Sequence, residues 1–385
     1  MQKLLIFQAP LLPVVLLIGF FVAGPVGQAQ SASGQSSSGQ SSSGQSSSGQ
    51  SGQPAQGQQT SSDQKQSPSG QSSSGQSDSQ EPVATFKASA NVVSVFYNVK
   101  DKHGMLIPNL TKDDFEVAED GKPQTIKYFT AESNLPLTLG ILIDSSGSQI
   151  NVLEMEKEVG GAFLKQILTD KDEAFVIDFN IDSSLMQDFT RDVHRLQAAL
   201  NKVKVNTGVT SIGPGMGGGP VPTAGGSARG TVLYDAVYLS AHDMLAKEVG
   251  RKAMILLTDG EDEGSQLKIK DAIEASQKAD AIVYVLLCAD RGFYGGFGMG
   301  YSGESEMRKL TEQSGGRVIN VGNKFDKLRD AFDQIASELR SQYNIGYTST
   351  NTKLDGTYRK LEIKNKQSYK IQARAGYYAG KSDKD

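Results

Sequence analysis

The distribution of apolar residues changes character along the chain, and each change marks a different kind of structure. An apolar run from Leu11 to Val22 gives way, from Ser31 to about Ser79, to Ser-Ser-Ser-Gly-Gln repeats with hardly any apolar residue. Such a segment cannot bury enough surface to offset its ordering entropy, so a disordered tether is expected. From Thr85 to Thr130 short strand-like runs appear at Val92 to Val99, Phe115 to Val117 and Thr125 to Phe129. The last two flank Asp120-Gly121, a strong hairpin signal, and Lys102-His103-Gly104 marks a second turn.

From Leu137 the texture becomes an alternation of strand and helix. Continuous apolar runs predict buried strands at Leu137 to Ile143, Ala174 to Phe179, Ala253 to Leu257, Ala281 to Cys288 and Arg317 to Val321. Helical spacing predicts helices at Val152 to Leu168, Val193 to Val203, Val232 to Leu245, Leu267 to Ala279, Glu304 to Gln313 and Phe325 to Gln342. This alternation predicts an α/β fold with a doubly wound, mostly parallel sheet covered on both faces. Strand patterns return at Tyr343 to Thr348, Tyr358 to Ile363 and Tyr369 to Tyr377. They are too few for a core of their own. They are therefore expected to join the Thr85 to Thr130 strands in one sheet assembly, a small β module split by the α/β domain.

The expected organisation is an export signal over 1–29, a Ser/Gly/Gln-rich tether over 30–82, the first part of the β module over 83–132, the α/β domain over 137–342, carboxyl-terminal strands over 343–379 and a tail over 380–385. Lys3, the apolar run and the small-x-small sequence Gly27-Gln28-Ala29 fit a cleaved leader, which implies export to periplasm, cell surface or medium. The run Leu4 to Ala23 approaches membrane-spanning length, so an uncleaved anchor is the alternative; Gln8, Pro10 and Pro13 argue against it. On the cleaved reading the mature chain has no membrane span. A lipid anchor would need a cysteine just after the apolar run, and the only cysteine, Cys288, sits in the apolar stretch Ala281 to Ala289, where a core role is expected. The tether, roughly 50 residues of flexible coil, would reach on the order of 40 Å. A net charge of -4 with both signs interspersed gives no electrostatic footprint for nucleic acid.

The candidate chemistry lies on loops at one edge of the predicted sheet. The first α/β strand ends in Leu142-Ile143-Asp144-Ser145-Ser146-Gly147-Ser148, an acid and two hydroxyls on the loop into a helix. Leu257-Thr258-Asp259-Gly260 places a second acid at the same carboxyl edge, where open α/β sheets bind ligands, and Gly230-Thr231-Val232 opens a helix there with another hydroxyl. Oxygen-only ligation suits a hard cation, Mg²⁺ or Mn²⁺. Asp144 alone could equally cap the following helix.

Asp144, Ser146, Ser148, Thr231 and Asp259 together form the pattern Asp-x-Ser-x-Ser, then Thr, then Asp, which resembles the metal-ion-dependent adhesion site of von Willebrand factor type A domains. The resemblance covers Leu137 to about Gln342. It implies that the three hydroxyls contact the metal, that the aspartates act directly or through water, and that a carboxylate from a protein partner completes the shell. Neutral hydroxyl ligands leave the ion strongly positive, which favours such a partner. The segments Phe115 to Gln124 and Ala373 to Tyr378 resemble the flanks of this domain in a group of secreted acidobacterial proteins. The segment Asn206 to Gly230, rich in glycine and proline, makes the threonine loop long.

Other signals are weaker. Gly213-Pro214-Gly215-Met216-Gly217-Gly218 fits a dinucleotide pattern but has no strand before it and no helix at its end, so it reads as a loop. Arg291 to Gly303, with Phe293, Tyr294, Phe297 and Tyr301 among glycines, is expected to rim the ligand edge, as a plain surface loop or a partner contact. His103, His194 and His242 fall away from the carboxyl-edge loops, and no Gly-x-Ser-x-Gly elbow is present, so no enzyme is expected. Two alternatives to the adhesion reading remain: a metal-independent envelope scaffold, and a hydrolase built on Ser146 or Ser148 with an aspartate.

Overall fold

The computed structural model describes residues 92–131, 135–206, 230–288 and 303–381. The leader, the tether, the glycine pattern at 213–218 and nearly all of the two loop segments around 206–230 and 291–303 lie outside the described residues. Six strands form the central sheet: β5 (Leu137–Asp144), β6 (Glu173–Phe179), β7 (Ser183–Thr190), β8 (Arg251–Thr258), β9 (Ala281–Leu287) and β10 (Val318–Asn320), in the order β10-β9-β8-β5-β6-β7. β5 pairs in parallel with β6 and β8, and β9 and β10 continue the parallel ladder.

All eight residues of β5 are buried because helices cover both faces. Leu139, Ile141 and Ile143 pack with α1 (Leu153–Ile167), α2 (Val193–Lys202) and a long helix at Phe325–Arg340, where the Phe163 and Phe332 rings stand 4.5 Å apart. Leu142 faces the opposite layer, built from α3 (Leu233–Leu239), α4 (Ile269–Lys278) and α5 (Gly303–Ser314); the long helix is α6. Each such fully buried aliphatic side chain contributes roughly 1.5–3 kcal/mol. Gly140 is required within β5, since a Cβ there would stand 2.5 Å from the Phe175 ring.

The sheet is parallel except for β7, which pairs antiparallel with β6 at the edge. Its pattern of exposed and half-buried positions gives no continuous apolar run, which is why the sequence does not announce it. The expected helix from Val232 to Leu245 holds α-helical geometry only to Leu239 and then loosens through a π turn at Ser240–Met244, where the Ser240 hydroxyl bonds back to the Ala236 carbonyl at 2.8 Å.

The flanking strands pair across the chain as the split module requires, in two sheets around one core. One has the order β13-β1-β11-β4, from Lys370–Ala373, Val92–Lys100, Tyr343–Thr348 and Ile126–Ala131. The other is β14-β12-β2-β3, from Gly376–Tyr378, Tyr358–Asn365, Phe115–Glu119 and Lys122–Gln124. Val95, Tyr97, Phe115, Tyr343 and Ile345 share the core between them. Asp120 and Gly121 both have positive φ, 48° and 76°, so the β2–β3 connection is the tight hairpin turn that their sequence signals. The expected run Thr125 to Phe129 forms β4 in the first sheet, while β3, just before it, pairs with β2 in the second. One expected single strand is divided between the sheets. Tyr369 to Tyr377 breaks at Arg374-Ala375, where Arg374 pairs with Asp280 at 2.7 Å and the Ala375 amide bonds to Gln313 of α5. Lys100 of β1 reaches Glu338 of α6 at 2.8 Å, tying the module to the α/β layer. Among the described residues no helix is long and apolar enough to cross a membrane.

Candidate functional site

The carboxyl ends of β5, β6 and β8 carry loops that are laced together. Ser145 sits at the centre: its amide bonds to the Phe179 carbonyl at 2.9 Å, its carbonyl accepts from the Asn206 amide at 2.8 Å, and its hydroxyl accepts from the Asn180 side chain at 2.8 Å. Asn180 in turn accepts from the Val232 amide at 2.7 Å, which fixes the start of the Thr231 segment. The Thr231 carbonyl accepts from the amides of Glu263 and Gly264 at 3.1 and 3.0 Å, closing the ring onto the loop that follows Asp259. Gly230 and Gly264 let these backbones touch, since a Cβ at Gly264 would stand 2.1 Å from the Gly230 carbonyl oxygen.

Within this frame the acids point inward and the hydroxyls lie nearer the surface. Asp144 is 0% and Asp259 2% exposed, whereas Ser146, Ser148 and Thr231 are half-buried. One oxygen of Asp144 accepts from the Ser146 amide at 2.9 Å and the other from the Thr258 hydroxyl at 2.6 Å. The Ser146 and Ser148 hydroxyls share a hydrogen bond of 2.9 Å, which brings two neutral oxygens to one point. Asp259 accepts from the Glu261 amide at 3.1 Å through the turn that Gly260 makes at φ +85°. Burial, and then the charge of Asp259, push the Asp144 carboxyl up to about 7.

Asp144 does not cap the following helix: α1 begins at Leu153, its cap position is Val152, and no side chain bonds there. Asp144, Ser146 and Ser148 are joined directly, Asp259 acts on Asp144 through charge, and Thr231 is joined through its backbone. Among the described residues no group of three or more His, Cys, Asp or Glu is placed to hold a metal. The donor set here is of another kind, two acids and three hydroxyls. Its chemistry fits a hard divalent cation, since every donor is an oxygen and two of them belong to buried carboxylates in each other's field. Thr258 and Asn180 bond into the site though the motif does not name them, and the buried Glu156 feels the charges of Asp144 and Asp259. Thr258 and Asn180 stand at strand ends on the same edge. Glu156 shows itself as an acid on the apolar stripe of α1 formed with Leu153, Gly160 and Phe163.

A parallel sheet with one antiparallel edge strand, helices on both faces, and an Asp-x-Ser-x-Ser loop at the carboxyl end of a central strand define the architecture. The α/β domain is a doubly wound, mostly parallel sheet, the architecture that the resemblance to von Willebrand factor type A domains implies. No protein-family model matches the sequence, and no curated protein matches it. Among solved structures, the chain is similar to BatB, a conserved hypothetical protein from Bacteroides thetaiotaomicron, at 17% identity over 53% of this chain and 100% of that one, with a TM-score of 0.37. It is also similar to the vWF domain of the type V pili tip protein Mfa5 from Porphyromonas gingivalis, at 12% identity over 53% and 95%, TM-score 0.38. A third similar structure is proximal thread matrix protein 1 from the mussel byssus with a zinc-occupied MIDAS motif, at 15% identity over 58% and 50%, TM-score 0.41. Within this sheet, the loops carrying Asp144, Thr231 and Asp259 occupy the carboxyl edge.

Proposed function

We propose that this chain is an exported, adhesion-type binding module. It holds a divalent cation, Mg²⁺ or Mn²⁺, at Asp144, Ser146, Ser148, Thr231 and Asp259, and through it an acidic group of a protein partner. The observation that carries this reading is the meeting of the Ser146 and Ser148 hydroxyls at 2.9 Å above the fully buried Asp144, itself in the field of Asp259. When bound, the cation supplies positive charge with open coordination positions. The serine hydroxyls orient toward that position without neutralising it, so a partner carboxylate is attracted more strongly than by an all-carboxylate cage. The Thr258 hydroxyl and the Ser146 amide hold the Asp144 carboxylate in one orientation. Ile150, two residues beyond Ser148, and Ile181, beside Asn180, are 56% and 47% exposed and offer apolar contact at the rim.

Binding without catalysis is part of the proposal. His103 lies in the turn after β1, His194 opens α2, and His242 stacks on Tyr238 at 5.0 Å, all away from the loops of the site. The amino-terminal apolar segment and the repeat after it fit export followed by a spacer. The test is thermal unfolding and calorimetric titration with Mn²⁺ and Mg²⁺. Metal is expected to raise the melting temperature of the wild type and not of Asp144→Ala or Asp259→Ala, since only a ligand of the native state stabilises it. A wild type that binds neither ion would promote the metal-independent scaffold.

A further inference from the structure

Glu156 is the anomaly of the core. It lies near the start of α1, is 0% exposed, and neither of its carboxyl oxygens meets an N–H or O–H donor among the described residues, only the weakly donating Cys288 thiol. Native proteins hydrogen-bond nearly all buried polar groups, and an unpartnered buried acid weakens the fold, so its presence demands a compensating role. Its surroundings supply one. Residue 156 follows directly on the loop of the candidate site, with the Glu156 amide bonded to the Val152 carbonyl and the Val152 amide to the Gln149 carbonyl, each at 3.0 Å. Cys288, also 0% exposed, flanks it, and the Cys288 amide bonds at 2.9 Å to the carbonyl of Thr258, the residue whose hydroxyl holds Asp144.

We infer that Glu156 is a positioning residue of the cation site, a buried countercharge behind Asp144 and Asp259 that strengthens cation binding without touching the ion. The inference rests on the cation reading above and deepens it. Burial pushes the Glu156 carboxyl up to about 8; the Cys288 thiol offsets this only in part, and the charges of Asp144 and Asp259 add to it. Groups that feel those two aspartates also feel a cation held between them, with opposite sign. Glu156, Asp144 and Asp259 are all buried, so the interaction is weakly screened. Near neutral pH the metal-free fold keeps Glu156 protonated, and a cation held between the aspartates draws that proton off to solvent, so the same acid strains the metal-free fold and favours the metal-bound one.

The experiment compares wild type, Glu156→Gln, Glu156→Met and, as a control, Glu158→Gln, which removes an exposed charge from the same helix. Mn²⁺ titration calorimetry and thermal unfolding in chelator are measured near neutral pH. Glu156→Gln is expected to weaken Mn²⁺ binding about tenfold. It is also expected to raise the melting temperature of the metal-free protein by several degrees. Glu156→Met shares both effects, and Glu158→Gln shows neither. A purely structural Glu156 predicts the opposite pair, a lower metal-free melting temperature with unchanged Mn²⁺ affinity. Wild-type affinity in both Glu156 variants overturns the inference and leaves the cation reading standing. No Mn²⁺ binding by the wild type overturns both.

Discussion

Glu119 in the β module and Glu156 behind the candidate site are both withdrawn from water, at 2% and 0% exposure, yet their surroundings are opposite. Glu119 accepts from the hydroxyls of Tyr347, Ser349 and Tyr377 at 2.8, 2.7 and 2.9 Å and pairs with the buried Arg359 at 3.4 Å. Glu156 meets only the weakly donating Cys288 thiol, and the charges that act on it, Asp144 and Asp259, have its own sign. A buried acid that is fully partnered is a structural device, and removing it orphans its partners. A buried acid left without partners stores unfavourable free energy that a cation can release. Glu338 stands between the extremes: burial raises its carboxyl, but Arg317 and Lys100 outweigh that and hold it below the ordinary range.

The largest effect is expected on the satisfied side of this comparison. Glu119→Ala leaves Arg359 buried without its acid and the Tyr347 and Tyr377 hydroxyls without their acceptor, so it should destabilise by about 3–5 kcal/mol in urea unfolding. A loss below about 1 kcal/mol would show that the network is incidental. The unsatisfied side should respond with the other sign and depend on pH. An unfolded Glu156 ionises near 4.5 and the folded one near 8, so the native state keeps a proton that the unfolded chain has released. Glu156 therefore leaves the metal-free fold undisturbed below pH 4.5, and its destabilising effect grows through that window to a plateau above 8. Asp144, raised to about 7, acts in the same direction. In chelator, the stability of Glu156→Gln relative to wild type should rise across this range by on the order of 3 kcal/mol. A difference independent of pH would mean that Glu156 is ionised in the fold or reached by water.

Two smaller effects sharpen the contrast between scaffold and site. Gly140→Ala drives a Cβ to 2.5 Å from the Phe175 ring and should cost about 1–3 kcal/mol, partly recovered in Gly140→Ala with Phe175→Leu, with Mn²⁺ affinity unchanged in the folded protein. Thr258→Val removes the 2.6 Å bond to Asp144 at a cost of about 1 kcal/mol, yet it should weaken Mn²⁺ binding several-fold because the carboxylate loses its orientation. Equal Mn²⁺ affinity in Thr258→Val and wild type would remove Thr258 from the site.

What the sequence made legible follows from where side chains are buried on both faces. β5, β6, β8 and β9 announce themselves as continuous apolar runs. β7 does not, because an edge strand flanked by water carries Ser, Gln and Asp. Tyr369 to Tyr377 reads as a single run because its break at Arg374-Ala375 is made by contacts distant in sequence, such as Arg374 with Asp280. At the site, the acids and hydroxyls of the motif were visible as residues. The lacing of their loops through Ser145 and Asn180 was not, since it depends on which strand ends the sheet order places together. Glu156 was legible in principle, as an acid on the apolar face of a helix, and its meaning appears only from what the fold places around it.

The central claim is a cation held between Asp144 and Asp259, and calorimetric titration of the wild type and Asp144→Ala with Mn²⁺ tests it most directly. One ion bound per wild-type chain, with a matching rise in melting temperature, and neither effect in a folded Asp144→Ala protein, is the result expected. A wild type that takes up no Mn²⁺, or an Asp144→Ala variant that binds it as well as the wild type, would contradict the account.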